Sequence, residues 1–258
     1  MRSEPATPGV PLRLYCCPHA GATSLVYRGW QQLCEPGGLV VRGVDAPGRG
    51  TRRRERRAAG FQALVRSMAE PVIADLTAER ERRGELRWAT FGHSFGATMS
   101  LAVAAEVTRQ VGVPPVRAVL SGAVPPGLQR PGELLASVPD EELLARTAAD
   151  GGTPAAVLAD PTMSRILLRM LREDDAVRAE FCREAARLRV DFPLTLIAAG
   201  EDVHAPPERV WPWAEHSTAP VRRVEIEGGH FAAVHRPAET LDTILRDTIP
   251  RDTDTEER

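Results

Sequence analysis

Short apolar runs separated by longer stretches of helical periodicity recur along this chain. The runs at 12–17, 39–44, 86–91, 117–121, 192–199 and 221–226 have strand length and are rich in Val, Ile, Leu and aromatic residues. Between them, 61–83 carries apolar positions at three- and four-residue spacing, and 97–107 is Ala-, Leu-, Met- and Val-rich without Pro or Gly, so both are predicted helices. A shorter helix is expected at 27–34 and a closing one at 237–249. Strand and helix alternating in this way predict an α/β fold, a mostly parallel sheet with helices on both faces, whose ligands bind beyond the carboxyl ends of the strands. From about 126 to 191 the alternation stops. Helices are expected from Asp140, a cap or first-turn acid, and over 161–172 and 176–187, which makes this segment a helical insertion expected to act as a lid. Residues 1–11 and 251–258 read as flexible tails.

At 258 residues the chain fits one large domain. Its 33 basic and 35 acidic side chains leave a net charge of −2, which excludes the overall basic field of a nucleic-acid binder. Every basic residue is Arg, and neither Lys nor Asn occurs, a bias of codon usage rather than of fold. The cluster Arg49, Arg52, Arg53, Arg54, Arg56 and Arg57 reads either as a solvated loop or as a docking patch for an acidic or phosphate-bearing partner. The first eleven residues contain Arg2, Glu4 and three prolines without an apolar core, unlike a secretory signal, and no apolar run has membrane-spanning length. Cys16, Cys17, Cys34 and Cys182 have no metal-ligand spacing and read as small apolar packing groups in a reduced, cytoplasmic setting, with no metal expected.

The chemistry centres on Gly92-His93-Ser94-Phe95-Gly96, placed after a predicted strand and before a predicted helix. A serine hydroxyl is a weak nucleophile unless it is held exposed beside a base, and a tight strand-to-helix turn flanked by glycines provides that exposure. Asp202 and His230 each follow a later strand, in the chain order Ser, Asp, His of a hydrolase of this architecture. His230 is the expected general base, and Asp202 its orienting acid. Glu201 is the nearest rival to Asp202, with Asp191 behind it, and His235 is the rival to His230, more simply a surface or cap residue. His204 and His216 read as loop residues. Backbone donors for the developing oxyanion are expected from Phe95 and from Ala20, in the loop after the first strand. His19, at the pocket mouth, with Gly21, His93 and Phe231, are the further pocket candidates. No organic cofactor is needed, because a triad and backbone donors suffice for acyl transfer.

Together, Pro18-His19-Ala20-Gly21, Pro47-Gly48-Arg49, the serine motif, Ser121-Gly122-Ala123 with Pro125, Gly200-Glu201-Asp202 and Gly228-Gly229-His230-Phe231 resemble the type II thioesterases, over about residues 12–249. The resemblance implies the α/β-hydrolase fold and hydrolysis of acyl thioesters held on the phosphopantetheine arm of carrier proteins, in polyketide or nonribosomal peptide biosynthesis. It also implies a transient carrier-protein partner; neither nucleic acid nor membrane is expected, and whether the chain is a monomer is not readable from the sequence. Three departures stand out. Ala22 replaces a usual second glycine, Gly50 and dense arginines follow Pro-Gly-Arg, and Leu171-Arg172-Glu173-Asp174-Asp175 approximates a Leu-Arg-x-Asp pattern. The alternatives are an acyltransferase, cyclase or carboxylesterase using the same residues, and a catalytically silent binding module.

Overall fold

A computed structural model of the protein describes residues 10–34, 38–129 and 135–248. Six strands, β1 (Leu12–Cys17), β2 (Leu39–Gly43), β3 (Trp88–His93), β4 (Arg117–Ser121), β5 (Leu194–Ala199) and β6 (Val221–Ile226), form one sheet in the order β2-β1-β3-β4-β5-β6. Every pairing is parallel. The chain runs from β1 outward to β2 and then returns to β3 on the other side of β1, so the order reverses between β1 and β3. Loops leaving those two strands diverge and open a crevice at their carboxyl ends, the position where doubly wound sheets bind ligands.

The two-residue period of the strands sorts side chains between two apolar layers. In β1, Leu12, Leu14 and Cys16 join Tyr27, Trp30, Leu241 and Ile244 on one face, while Tyr15 and Cys17 join the other layer. That second, larger layer is built by α1 (Phe61–Arg83) and α2 (Phe95–Val111), with Trp88, Phe181 and Trp213. The terminal α8 (Pro237–Thr248) covers the opposite face. Gly84 and Gly112 end α1 and α2 in the left-handed conformation, a common helix stop.

Several expected boundaries change. The segment 27–34 is not an α-helix but part of two 3₁₀ turns, Ser24–Tyr27 and Trp30–Leu33, separated around Gly29, which lets Tyr27 and Trp30 both face the sheet. The helices expected at 161–172 and 176–187 are one continuous helix, α5 (Pro161–Glu184), followed by a 3₁₀ turn at Ala185–Arg187. Its N-cap is Asp160, whose carboxylate accepts the N–H groups of Thr162 and Met163. Before α5 come α3 (Asp140–Asp150) and the short α4 (Ala155–Ala159), and two further short helices, α6 (Pro207–Val210) and α7 (Ala232–His235), follow β5 and β6. Among the described residues, no helix is long and apolar enough to cross a membrane. Of the tails expected to be flexible, 1–9 and 251–258 lie outside the described residues.

One charge is buried beneath the sheet. Arg13 of β1 is 5 % exposed and meets Asp75 and Glu79 of α1, each at 2.6 Å, while Glu79 also pairs with Arg82 and Arg83. Removing one partner of such a group leaves an uncompensated charge. Glu79→Ala is therefore expected to cost about 3 kcal/mol, the lower end of the range for broken buried pairs, because Asp75 still holds Arg13. The joint change Arg13→Met with Glu79→Leu should cost far less, and urea denaturation midpoints of the two variants decide it.

Candidate active site

Strand β3 ends in a backbone that few residues adopt. Ser94 has φ 53° and ψ −123°, and among the described residues it is the only non-glycine with a positive φ. Strain of this kind persists where the surroundings hold it, and here the Ser94 N–H donates to the Ser121 carbonyl at 2.8 Å. The flanking glycines are sterically required. A Cβ on Gly92 would lie 2.0 Å from the Gly96 carbonyl oxygen, and one on Gly96 would lie 2.3 Å from that of Cys17. The turn thus lifts the serine side chain off the sheet at the head of α2, where the first N–H groups, that of Phe95 included, have no helical partner.

The loops after β5 and β6 bring Asp202 and His230 together. His230 Nδ1 lies 2.7 Å from Asp202 Oδ2, and the other carboxylate oxygen accepts the N–H groups of His204 at 2.8 Å and Ala205 at 3.0 Å. Burial raises the Asp202 pKa, but the hydrogen bond and charge of His230 and the two backbone donors outweigh it and hold the carboxyl below its ordinary value. An ionised Asp202 accepts only, so the Nδ1 of His230 carries the proton and donates it. The rivals stand apart from this pair. Glu201 and Asp191 are exposed, and His235, at the end of α7, stacks on Phe231 with ring centroids 6.0 Å apart.

Ser94, Phe95, Ala20, His19, His230 and Phe231 all line one cavity of about 530 Å³, a size suited to a small-molecule substrate. Its roof comes from the 126–191 segment, including Leu135, Thr147, Asp150, Gly152, Leu171, Asp175 and Arg178. His204 Nε2 meets Asp150 at 2.9 Å and so joins the end of α3 to the loop that carries Asp202. The N–H of Ala20 donates no hydrogen bond among the described residues.

Other candidates fall elsewhere. His19 does line the cavity but is only 7 % exposed, packed against Phe231 with ring centroids 4.9 Å apart, and burial with the nearby His230 and His235 lowers its pKa to about 4, so it is neutral at physiological pH. His93 does not line the cavity. It is fully buried behind His230, 4.7 Å between centroids, and burial drives its pKa well below the ordinary histidine value. Gly21 also points away from the cavity, its N–H donating to Asp174. Ala22 does not line the cavity, and its N–H donates to the His19 carbonyl at 3.1 Å. His216, expected in a loop, is buried at the end of a 3₁₀ helix, Trp211–His216, bonded to the Leu188 carbonyl. All four cysteines are free, and burial pushes the Cys17 thiol up to about 12 and Cys16 well above its ordinary value, leaving neither as a thiolate near pH 7.

The arginine cluster divides. Arg49 pairs with Glu173 and Asp174, Arg52 with Glu55, and Arg57 with Glu173, so these three are not a free docking patch. Arg53, Arg54 and Arg56 are exposed and make no ion pair among the described residues. The acids of α5 went unassigned as site residues. Asp174 and Asp175, three and four residues beyond Leu171 on a face that turns inward, are both buried, and an acid in register with an apolar stripe is the signal that marks them.

A parallel sheet with the serine turn, Asp202 and His230 at the ends of β3, β5 and β6 defines an α/β hydrolase. The sequence pattern described as "Thioesterase domain" matches residues 12–248, and the chain belongs to that family, whose members are thioester hydrolases. It is 32% identical to "Thioesterase PikA5" of Streptomyces venezuelae over 231 residues, 89% of this chain and 78% of that protein. Among solved structures it resembles the RedJ thioesterase from the prodiginine biosynthetic pathway of Streptomyces coelicolor, with 30% identity, a TM-score of 0.76 and coverage of 95% of this chain and 94% of that one. The type II thioesterase BorB from the borrelidin biosynthetic cluster is also similar, at 27% identity and a TM-score of 0.75, covering 95% and 96% of the two chains.

Proposed function

We propose that this protein is a serine thioesterase that frees acyl groups from the phosphopantetheine thiol of carrier proteins in polyketide or nonribosomal peptide biosynthesis. The observation that carries the reading is the convergence of a strained Ser94 and a His230–Asp202 hydrogen bond on one cavity. Ser94 Oγ attacks the thioester carbonyl carbon, and its proton passes to Nε2 of His230. Asp202 holds the imidazole in the accepting tautomer and stabilises the imidazolium. The N–H groups of Ala20 and Phe95 face the oxyanion. The C–S bond then breaks, the thiolate takes the proton from His230, and water repeats the cycle on the acyl-serine to release the free acid and regenerate Ser94.

The whole chain is read as one domain in which the 126–191 segment serves as the lid, because it roofs the cavity that holds Ser94. A roof of this kind excludes water and sets which acyl chain fits. Four free cysteines support a reduced, cytoplasmic setting. The test is turnover of acyl-carrier thioesters, small thioesters and matched oxygen esters by the wild type and by Ser94→Ala. Free acid released from carrier thioesters by the wild type alone supports the reading, whereas transfer to an acceptor, or preference for oxygen esters, replaces it with an acyltransferase or carboxylesterase.

Docking of an acidic carrier protein falls to Arg53, Arg54 and Arg56, which are exposed and have no acidic partner among the described residues. Reversing all three to Glu should raise KM for acyl-carrier substrates about tenfold at low salt, with small thioesters unaffected. An equal change for both substrates would remove the docking role.

A further inference from the structure

The loop that follows β1 is held from above by a single buried carboxylate of the lid. Asp174 of α5 is 2 % exposed. Its Oδ2 accepts the N–H of Gly21 at 2.8 Å and an Arg49 N–H at 2.7 Å, while Oδ1 takes the second Arg49 nitrogen at 2.6 Å. Arg49 in turn follows β2, so one carboxylate joins the lid helix to two loops of the sheet. Contact is close: a Cβ on Gly21, whose φ is +72°, would lie 2.7 Å from Leu171 Cδ2 of the same helix. The leucine side-chain ends could shift to admit a Cβ, but the positive φ favours glycine at residue 21.

These bonds constrain the peptide group proposed to face the oxyanion. The His19–Ala20 peptide, which carries the Ala20 N–H, is anchored at its oxygen by the Ala22 N–H. The next peptide, Ala20–Gly21, is anchored at its nitrogen by Asp174. With both planes pinned, the direction of the Ala20 N–H is set. A charged acceptor strengthens the second anchor, and low exposure shields it from competing water.

We infer that Asp174 is a positioning residue for hydrolysis, fixing the oxyanion-binding loop through Gly21 and coupling the seating of the lid to transition-state stabilisation. This rests on the reading of Ser94 as nucleophile and Ala20 as oxyanion donor. When α5 is seated, Asp174 aims the donor. When the helix lifts, Gly21 loses its acceptor and the loop relaxes, so hydrolysis is fast only under a closed lid.

Asp174→Ala leaves Arg49 with only its longer 3.5 Å pairing to Glu173 and risks unfolding, so the test is run with that charge removed. In an Arg49→Met background, Asp174→Asn keeps an acceptor for Gly21, whereas Asp174→Leu has none and similar volume. The Leu variant is expected to have a kcat about 10- to 100-fold below the Asn variant, with KM for a small thioester nearly equal, since misaiming one oxyanion donor acts on the transition state. A trifluoromethyl ketone analogue, to whose carbonyl Ser94 Oγ adds to form an oxyanion, should lose affinity by the same factor. A thioether analogue with a methylene in place of the carbonyl should bind both variants alike. Arg172→Ala, which removes an ion pair to Asp140 and hydrogen bonds to the Leu135 and Val138 carbonyls without touching the loop after β1, serves as the comparison for a loosened lid. Equal kcat and equal ketone affinity in the Asn and Leu variants, or an Arg172→Ala enzyme with the same kcat loss, overturns the inference while Ser94→Ala remains inactive. Full turnover by Ser94→Ala would instead overturn the nucleophile assignment on which it rests.

Discussion

Replacing Ser94 with alanine is expected to lower kcat for a small acyl thioester by about 10⁴-fold or more while leaving KM within a few-fold of the wild type. In the proposed mechanism the hydroxyl forms the covalent bond, and the other hydroxyls lining the cavity, those of Thr98, Thr147 and Thr153, are not carried on a strained turn of this kind. Of the other nucleophile types nearby, Cys17 lies beneath the Gly96 turn, and its thiol is pushed up to about 12 by burial. His230→Ala should cause a loss of the same order, because the serine keeps its proton when the base is gone. The combined variant should be no slower than either single one, since residues acting as a unit are not additive. A residual rate above that of buffer should survive in all three, owed to the Ala20 and Phe95 N–H groups and to binding alone. Steady-state kinetics with a chromogenic thiol trap measures every arm, and circular dichroism confirms that folding is kept. Losses that multiplied in the double variant would mean that Ser94 and His230 act in separate steps or sites.

Much of this molecule is legible from local pattern. Strands 12–17, 117–121 and 221–226 and helix 61–83 coincide with the observed elements because their apolar period runs without interruption to a glycine or a polar loop. The failures share a cause. At 27–34, Gly29 leaves two residues of helical pattern before it and five after it, too few to sustain an α-helix once the two aromatic rings must reach the same layer. At 172–175 a run of charges looks like a break between helices, yet α5 passes straight through it. Those charges have partners far away in sequence: Asp174 has Gly21 and Arg49, Asp175 has the Leu135 N–H beside its local pair with Arg178, and Arg172 has Asp140. Local pattern carries no information about such partners, so the arginines at 49 and 57 read as surface when they face α5. The site is legible for the converse reason. Ser94, Asp202 and His230 sit at strand ends, and in a parallel sheet all strand ends of one kind lie on one edge. The pocket side chains of α5, which depend on how the insertion folds back, are not recoverable that way.

Asp202→Asn tests the geometry more finely than any deletion and is expected to lower kcat by about 10⁴-fold with little change in fold. The orientation of the new amide is dictated by the backbone. The N–H groups of His204 and Ala205, at 2.8 and 3.0 Å from one carboxylate oxygen, demand an acceptor there, so the amide oxygen takes that place and its NH₂ must face His230. A donor at that position forces Nδ1 of His230 to accept, which moves the imidazole proton to Nε2, the atom that has to receive the proton of Ser94. The base is then present, well placed and in the wrong tautomer. The same substitution carries a stability signature with a definite sign. The native Asp202 carboxyl is held below its reference value of 3.8, so its contribution is complete above the unfolded value and disappears as pH falls through the lower folded one. Between pH 7 and about pH 3, the wild type should therefore lose more stability than Asp202→Asn, whose amide does not titrate. Urea midpoints at the two pH values measure the difference. A variant that kept the wild-type rate would show that Asp202 does not set the tautomer of His230, and one that lost as much acid stability as the wild type would place the linkage on another carboxylate.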